Sequence, residues 1–233
     1  MIPNHEMTAT SMTPEIIFQN AHFIIVDKPA ESLSVPSRLG HKDPRPVIGT
    51  ILQDSLKTRI FPVHRLDEDV SGLLLFALSA EAHRAANQWF EAHKVIKTYE
   101  AFSKPIPHET AESYKTPQAW ECKLMRGKKR AYEADFGKPS VTRALLVGIS
   151  QTRRSVWHLQ PLSGRSHQLR YEMARHGFPI DGDHLYGSDT QREPGKGIEL
   201  RSFRLDFSNC DGRELFDLPA DIQIPTNIPW NNF

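Results

Sequence analysis

The sequence predicts an α+β fold in which a mixed, mainly antiparallel sheet is flanked by helices. Two observations support this fold class. Segments with strand character outnumber segments with helical spacing, and several neighbouring strands are separated only by short turns. With 233 residues, the chain is long enough for one large domain or two small lobes.

The first half of the chain is predicted to combine four strands with two helices. Ile48 and Leu52 fall on one face of the first helix, and Ser79 is placed to cap the second. The apolar run from Leu73 to Leu78 predicts a buried strand. The predicted strands cover residues 15–20, 22–29, 72–78 and 94–103, and the helices cover residues 47–57 and 79–93.

The second half is predicted to be richer in strands. Residues 105–118 carry three prolines and little periodicity, which indicates a linker or a surface excursion. Residues 120–136 predict two strands joined by a turn at 126–129. Gly177 is placed to end a helix over residues 166–176. The remaining strands are predicted at residues 141–149, 155–162 and 198–207.

The composition predicts a cytoplasmic protein without membrane contact. No apolar run approaches the roughly 18 residues that a membrane span needs. The first 13 residues lack the basic and apolar regions of a secretory signal. Cys122 and Cys210 stand apart without CxxC spacing, which is typical of reduced thiols.

Positive charge is concentrated in one part of the chain. The formal net charge is only +1, but residues 120–175 sum to +8 and the remaining residues to −7. Such an asymmetry indicates a face that binds a polyanion, with a solvated basic face lacking any ligand as the alternative.

A cluster of charged residues precedes the predicted buried strand. Residues 64–72 read HRLDEDVSG and lead directly into the apolar run. This order resembles the HRLDxxTSG signature of the RluA-type pseudouridine synthases. Further segments resemble the family's motifs in the same order: VDKP at 26–29, KTYEA at 97–101, GRSHQLR at 164–170 and GFPIDGDHLYG at 177–187.

The resemblance covers residues 15–216 and implies a pseudouridine synthase catalytic domain. We expect residues 1–14 to form an N-terminal tail and residues 15–233 to form a single domain, with two lobes around a central RNA-binding cleft. Because only about a dozen residues precede the first predicted strand, the chain is most similar to short members that lack an S4-type RNA-binding domain.

Five positions depart from the family's usual residues. Val70 stands where Thr is usual, Asp27 where Asn is common, and Phe178 where His precedes the proline. Tyr171 and Glu172 replace Val-His and are candidates to face the RNA. None of these departures removes a residue to which the resemblance assigns chemistry, but they bear on substrate specificity.

The resemblance implies a catalytic role for Asp67. It places Tyr99 in the uridine pocket, Arg165 as the cation paired with Asp67, and Leu169 in an apolar pocket wall. Converting uridine to pseudouridine breaks the bond between C1′ and N1 and joins C5 to C1′, without redox change. We therefore expect no cofactor and no metal. A carboxylate can attack a carbon centre or stabilise positive charge at C1′, and the sequence leaves both roles open.

Other residues are candidates for RNA contact or form rival sites. His64 and Arg65 flank the motif and are expected either to fill the stack vacated by an extruded base or to hold phosphates. Asp69 is the alternative catalytic carboxylate; otherwise it is a loop residue that forms hydrogen bonds. Lys128, Lys129 and Arg130, on a predicted hairpin tip, are expected to bind phosphates, with a plain exposed turn as the alternative.

Three functions are compatible with these residues. The first is an RNA pseudouridine synthase that acts as a monomer on structured tRNA or rRNA and not on DNA. The second is a catalytically silent RNA-binding or RNA-folding protein, which the presence of Asp67, Tyr99 and Arg165 argues against. The third is a hydrolase that uses Asp67 and Asp69 as its carboxylate pair, and it leaves GRSHQLR and the basic region unexplained.

Overall fold

The computed structural model describes residues 13–229. In this part of the chain eleven strands form one sheet, accompanied by four α-helices. The strands are β1 (Glu15–Gln19), β2 (Phe23–Lys28), β3 (Phe61–Pro62), β4 (Ser71–Ala77), β5 (Ile96–Ser103), β6 (Gln118–Arg126), β7 (Ala131–Glu133), β8 (Lys138–Ile149), β9 (Ser155–Pro161), β10 (Leu200–Asp206) and β11 (Asp221–Gln223). The helices are α1 (Ile48–Leu56), α2 (Ala80–Glu91), α3 (His108–Glu112) and α4 (Gln168–Arg175), with short 3-10 turns at Gly40–Lys42, His184–Tyr186 and Arg213–Phe216.

The sheet has the strand order β1-β2-β4-β10-β5-β9-β8-β6-β7, with β3 added to β4 and β11 added to β10. Neighbouring strands pair antiparallel, except β4 and β10, which run parallel. The predicted mixed, mainly antiparallel α+β fold is therefore confirmed.

The sheet is covered on both faces at β4, and this explains the unbroken apolar run in the sequence. Leu73 and Leu75 pack in a cluster with α2, whereas Leu74 and Phe76 join a second cluster with α1. A strand buried on both faces has no reason to alternate polar and apolar residues. The second cluster also contains Leu169 of α4, so the functional motifs lie on this face of the sheet.

Gly72 allows the two parallel strands to approach closely. Its φ is +108°, and a Cβ at this position would lie 2.1 Å from the Ser202 carbonyl oxygen in β10. Ser202 pairs with Gly72 on one side and with Tyr99 of β5 on the other. The glycine that ends the HRLD motif thus brings the preceding loop within reach of Tyr99.

Most predicted elements are confirmed within two or three residues, but one segment differs. Residues 105–118 contain α3 and are packed against the core rather than lying free. The Tyr114 ring contacts Trp120, Trp157 and Phe178, and its carbonyl accepts a hydrogen bond from the Leu146 amide. The prolines therefore mark an irregular path and not a free linker.

The division into a tail over residues 1–14 and one domain over residues 15–233 stays a prediction. Residues 1–12 and 230–233 lie outside the described part of the chain. None of the helices between residues 13 and 229 has the length and apolar character that a membrane span requires.

Candidate active site

A cavity of about 660 Å³ opens where the motifs identified in the sequence meet. Its lining comes from the loop over residues 63–70, from β5, from the β6–β8 region and from residues 161–170. Six of the predicted site residues line it: His64, Arg65, Asp67, Tyr99, Arg165 and Leu169. The other three predicted residues, Lys128, Lys129 and Arg130, lie outside this lining.

We refer to residues 63–70 as the Asp67 loop, and neighbouring segments hold it firmly. The Ser34 hydroxyl bonds both the amide and the carbonyl of Leu66, at 3.0 Å each. The Glu68 carbonyl accepts the Glu31 amide at 2.9 Å. Since Leu66 and Val70 are buried on either side, the Asp67 carboxylate projects from a fixed backbone into the cavity.

Lys28 is a fully buried lysine beneath the Asp67 loop. Its Nζ donates to the carbonyls of Pro29 at 2.9 Å, Ser32 at 2.8 Å and Glu68 at 3.3 Å. Burial lowers the pKa of Lys28 to about 8, although the Asp67 carboxylate and its acidic neighbours oppose this shift. The ammonium group therefore joins two loops and contributes positive charge behind Asp67.

The structure supports the loop interpretation of Asp69. Its carboxylate contacts Arg192 at 2.7 Å and Arg170 at 3.5 Å. Its carbonyl accepts the Ile198 amide at 3.0 Å. Because both its side chain and its backbone are engaged in tying loops together, Asp69 fits a structural role better than a catalytic one.

The predicted ion pair between Arg165 and Asp67 is not formed. Arg165 lies in the turn before α4, where its Nε donates to the Pro139 carbonyl at 2.9 Å. Within residues 13–229, the basic group within 4 Å of Asp67 is the His167 ring, at 3.9 Å between Nε2 and Oδ2. The guanidinium near the motif's carboxylates is that of Arg170, which lines the cavity.

Arg170 is buried and bonded in a bidentate manner. Its Nε and one terminal nitrogen donate to the two oxygens of Asp183, at 2.7 and 2.8 Å. Burial opposes its charge, but the hydrogen bonds that it donates to Asp183 and the carboxylates of Asp67 and Asp69 raise the pKa of Arg170. In the sequence, the GDHLYG segment supplies the carboxylate that a buried arginine needs, but it does not indicate which arginine is buried.

Tyr99 lies in the sheet beside the Asp67 loop and is 8% exposed. Burial raises the pKa of its phenol; the nearby Asp67 carboxylate raises it further, and Ser202 acts in the opposite direction. Tyr99 therefore keeps its proton at neutral pH. It presents both a ring and an O–H donor to the cavity.

His64 is engaged in packing, which does not fit the expectation that it moves into a base stack. Its Nε2 accepts the Leu75 amide at 3.0 Å, and its ring stacks on Phe90 with centroids 4.8 Å apart. Burial lowers the pKa of His64 to about 3, and Lys97 adds to the effect. A neutral ring that accepts a backbone hydrogen bond is poorly suited to hold phosphates.

Arg65, by contrast, is exposed at the cavity. Residues 63–70 form a loop. The Arg65 and Asp67 side chains both line the same cavity.

His167 is a residue that sequence reasoning did not single out. It precedes α4 with left-handed backbone angles (φ 54°) and lines the cavity. Its Nδ1 lies 3.1 Å from the Tyr186 hydroxyl. Burial lowers the pKa of His167, against the opposing effect of Asp67, so the ring is neutral at pH 7. The only sequence signal was its place within GRSHQLR.

The basic region contains cations held in ion pairs and cations exposed without one. Arg154, Arg170 and Arg175 are paired with the acidic residues Asp181 and Glu199, Asp183, and Glu172, respectively. The exposed cations of the β6–β8 region include Arg126, Lys128, Lys129, Arg130 and Lys138. The net charge of residues 120–175 therefore overstates the surface available to a polyanion.

Glu172 does not face a ligand, and the expectation that it contacts RNA is wrong. It is fully buried, where it accepts hydrogen bonds from Arg175 at 3.0 Å and from the Cys122 thiol at 2.8 Å. Burial and the Glu172 carboxylate raise the pKa of Cys122 to about 12. In residues 13–229 no group of three or more His, Cys, Asp or Glu side chains is arranged to hold a metal ion.

Comparisons with known proteins show the family of the chain. A family model described as RNA pseudouridylate synthase matches residues 22–175. The dual-specificity RNA pseudouridine synthase RluA of Salmonella typhi is 33% identical over 218 residues, covering 88% of this chain and 93% of that protein. The tRNA pseudouridine synthase C of Pectobacterium carotovorum subsp. carotovorum is 34% identical over 239 residues. The match covers 98% of this chain but only 63% of the length of that protein.

The fold has a solved counterpart. The structure of human RNA pseudouridylate synthase domain containing 1 aligns with a TM-score of 0.73, covering 97% of this chain and 86% of that one. The two sequences are 22% identical, so this likeness bears on the fold alone.

Proposed function

Because the chain belongs to the RNA pseudouridylate synthase family, as an RluA-like member, we propose that it isomerises a specific uridine in structured tRNA or rRNA. Asp67 is the catalytic carboxylate of this proposal. The observation that carries it is the position of Asp67 on a braced loop, inside a cavity shared with Tyr99 and Leu169.

The cavity suits one flipped nucleotide. Its volume of about 660 Å³ falls within the range of small-molecule sites, roughly 300–1,000 Å³. Leu66, Val70, Leu169 and Leu200 supply apolar surface for the faces of a base. A uridine in a stem-loop must be extruded to enter it, at a cost of a few kcal/mol.

In this proposal Asp67 acts at C1′ as an ionised carboxylate. The buried Arg170 guanidinium and the Lys28 ammonium provide positive charge around it. Attack on a carbon centre and stabilisation of charge at C1′ both require this ionised form. During the reaction the N1–C1′ bond breaks, the C5–C1′ bond forms, C5 loses its proton and N1 gains one. Tyr99 offers a phenol for one of these proton transfers.

Cations at the cavity mouth suit the phosphates that flank the target. Arg65, Arg126, Lys138 and Arg165 all line the opening. In this proposal Arg165 contacts a phosphate and is not the partner of Asp67. Lys128, Lys129 and Arg130 extend the same sign of charge along the β6–β7 turn, where phosphate contacts add affinity without reading sequence.

Tritium release from RNA labelled with [5-³H]uridine tests the proposal. Wild-type protein is expected to release tritium from total tRNA or rRNA of a strain that lacks the gene. Asp67→Asn keeps the shape of the side chain and is expected to release none while still binding RNA. The exposed Asp54 provides the matched control, Asp54→Asn, with release unchanged.

The outcomes separate the rival functions. Equal release by Asp67→Asn and wild type would remove Asp67 from the chemistry. RNA binding with no release from any cellular RNA would favour the silent binder, and liberation of free uracil or cleaved RNA would favour a hydrolase. Mapping pseudouridines in the deletion strain against its parent then identifies the target uridine.

A further inference from the structure

Three polar contacts run in series from the β6–β7 hairpin to Asp67. The Ala131 amide donates to the Tyr186 hydroxyl at 2.6 Å. That hydroxyl lies 3.1 Å from His167 Nδ1. On the other side of the same ring, Nε2 lies 3.9 Å from Asp67 Oδ2.

The first contact favours one arrangement of the protons in the others. The Tyr186 oxygen accepts the Ala131 N–H, so its own proton is available to His167 Nδ1. Burial raises the pKa of Tyr186 to about 12, so the phenol keeps this proton. A neutral imidazole whose Nδ1 accepts carries its hydrogen on Nε2, which is the nitrogen that faces Asp67.

The backbone at His167 is held in an unfavourable conformation. A non-glycine residue at φ 54° is disfavoured by about 1 kcal/mol or more and persists only when its surroundings fix it. Here the Tyr171 amide bonds the His167 carbonyl at 2.9 Å as α4 begins. The ring is therefore presented to Asp67 from a rigid support.

We propose that His167 is a positioning residue for Asp67 in the reaction proposed above. Its Nε2–H donates to the Asp67 carboxylate when bound RNA closes the 3.9 Å gap, and Tyr186 sets the tautomer that makes this donation possible. Such contacts are often long in a protein without its substrate and shorten in the complex. The inference rests on the proposed function and adds two residues to it.

The charged groups around His167 are compatible with this role. Arg170 opposes protonation of the ring, whereas Asp67, Asp69 and Asp183 favour it, and burial outweighs all of them. Both the neutral and the protonated ring carry a hydrogen on Nε2. Protonation of His167 therefore leaves the proposed donor in place, and removal of the ring is the informative change.

The decisive comparison is between His167→Phe and His167→Gln. Phe keeps a ring but has no donor, and kcat is expected to fall about tenfold or more with KM nearly unchanged, because a hydrogen bond to a charged group is lost. Gln retains an N–H at the reach of Nε2 and is expected to restore much of kcat.

Tyr186→Phe provides a second, independent variant. It removes the hydroxyl that sets the tautomer and is expected to lower kcat several-fold, less than His167→Phe. The double variant should be no slower than His167→Phe alone, because Tyr186 acts through the histidine. Tyr114→Phe, which removes a hydroxyl from a ring packed on Trp157 outside the cavity lining, is the matched control with unchanged kcat.

Thermal unfolding and RNA binding show whether each variant folds. If His167→Phe does not fold, Tyr186→Phe and His167→Gln carry the test. Wild-type kcat in both Tyr186→Phe and His167→Phe overturns the inference, as does an equal loss of kcat in His167→Phe and His167→Gln. If wild type itself releases no tritium, the proposed function fails first, so the two failures are distinguishable.

Discussion

The Asp67 loop and the turn between β6 and β7 both face the proposed RNA, but they are built differently. The loop is tied by backbone hydrogen bonds, by the buried Lys28 and by Arg192. The turn is closed by one backbone bond from Gly127 to Arg130, and Lys128, Lys129 and Arg130 are exposed. Chemistry at one atom needs a fixed group, whereas phosphate contacts tolerate mobile ones.

The charges of the two regions differ in the same way. In the loop, the Asp69 carboxylate forms ion pairs with Arg170 and Arg192. Within residues 13–229 the cations of the turn form no ion pair. Substitutions in the loop should therefore change stability or turnover, and substitutions in the turn should change affinity.

The largest effect is expected where the loop joins the sheet. Gly72→Ala would place a Cβ 2.1 Å from the Ser202 carbonyl oxygen in a backbone that also has φ +108°. We expect a loss of about 4 kcal/mol or more in the free energy of unfolding, measured with urea. Gly177→Ala is the control, because its φ is +86° but no atom lies within 4 Å, and about 1 kcal/mol is expected there. Similar losses in both variants would contradict a steric role for Gly72.

Lys28→Met should produce the next largest loss. It leaves the carbonyls of Pro29, Ser32 and Glu68 without their shared donor in a buried position. The Pro29 carbonyl keeps the Ser32 hydroxyl as a donor and the Glu68 carbonyl keeps the Glu31 amide, whereas the Ser32 carbonyl loses its Lys28 donor. One unsatisfied buried acceptor predicts a destabilisation of about 2 kcal/mol. Lys104→Met removes only an exposed pair with Asp189 and should change stability by less than about 0.5 kcal/mol. The prediction fails if the two lysines prove equally dispensable.

His64 should make stability fall on acidification. Its pKa is about 3 in the folded protein and about 6.5 when unfolded, so the unfolded chain binds the extra proton between these values. The stabilisation is fully present above pH 6.5 and declines as the pH falls toward 3, by up to about 1.4 kcal/mol per pH unit. In His64→Gln this slope should be smaller by that amount. His41→Gln, at an exposed position, should leave it unchanged.

The smallest effect is expected in the turn. Lys128→Ala should weaken RNA binding several-fold and reduce the slope of log K against log salt by about 0.7–0.9, with kcat unchanged. Arg65→Ala, at the cavity, should instead impair turnover of bound RNA. Affinity measured over a salt series and single-turnover rates separate the two. An unchanged slope would remove Lys128 from the RNA footprint.

Local sequence signals predicted the helices and strands well. Ser79 caps α2 through a 3.1 Å bond to the Ala82 amide, and Gly177 follows α4 with φ +86°. Both features depend on a few adjacent residues. Asp67, Tyr99 and Leu169 meet at one cavity, as the resemblance implied.

Side-chain contacts between residues that are distant in sequence were harder to predict. The GRSHQLR segment contains two arginines, and only the packing of α4 against Asp183 identifies Arg170 as the buried one. His64 was expected to contact RNA because it flanks the motif. Its stacking on the Phe90 ring was not predictable from the sequence. These selections depend on residues that are distant in sequence and adjacent only after folding.

The contact between Gly72 and Ser202 also limits how the gene can vary. Every single-nucleotide change that replaces a glycine adds a Cβ or stops translation. At position 72 the Ser202 backbone occupies the space that a Cβ would need. In a saturation library, codon 72 should be as intolerant as the codon for Asp67, although its residue never touches RNA. Mutational intolerance alone would then not distinguish a close approach of two strands from a catalytic role.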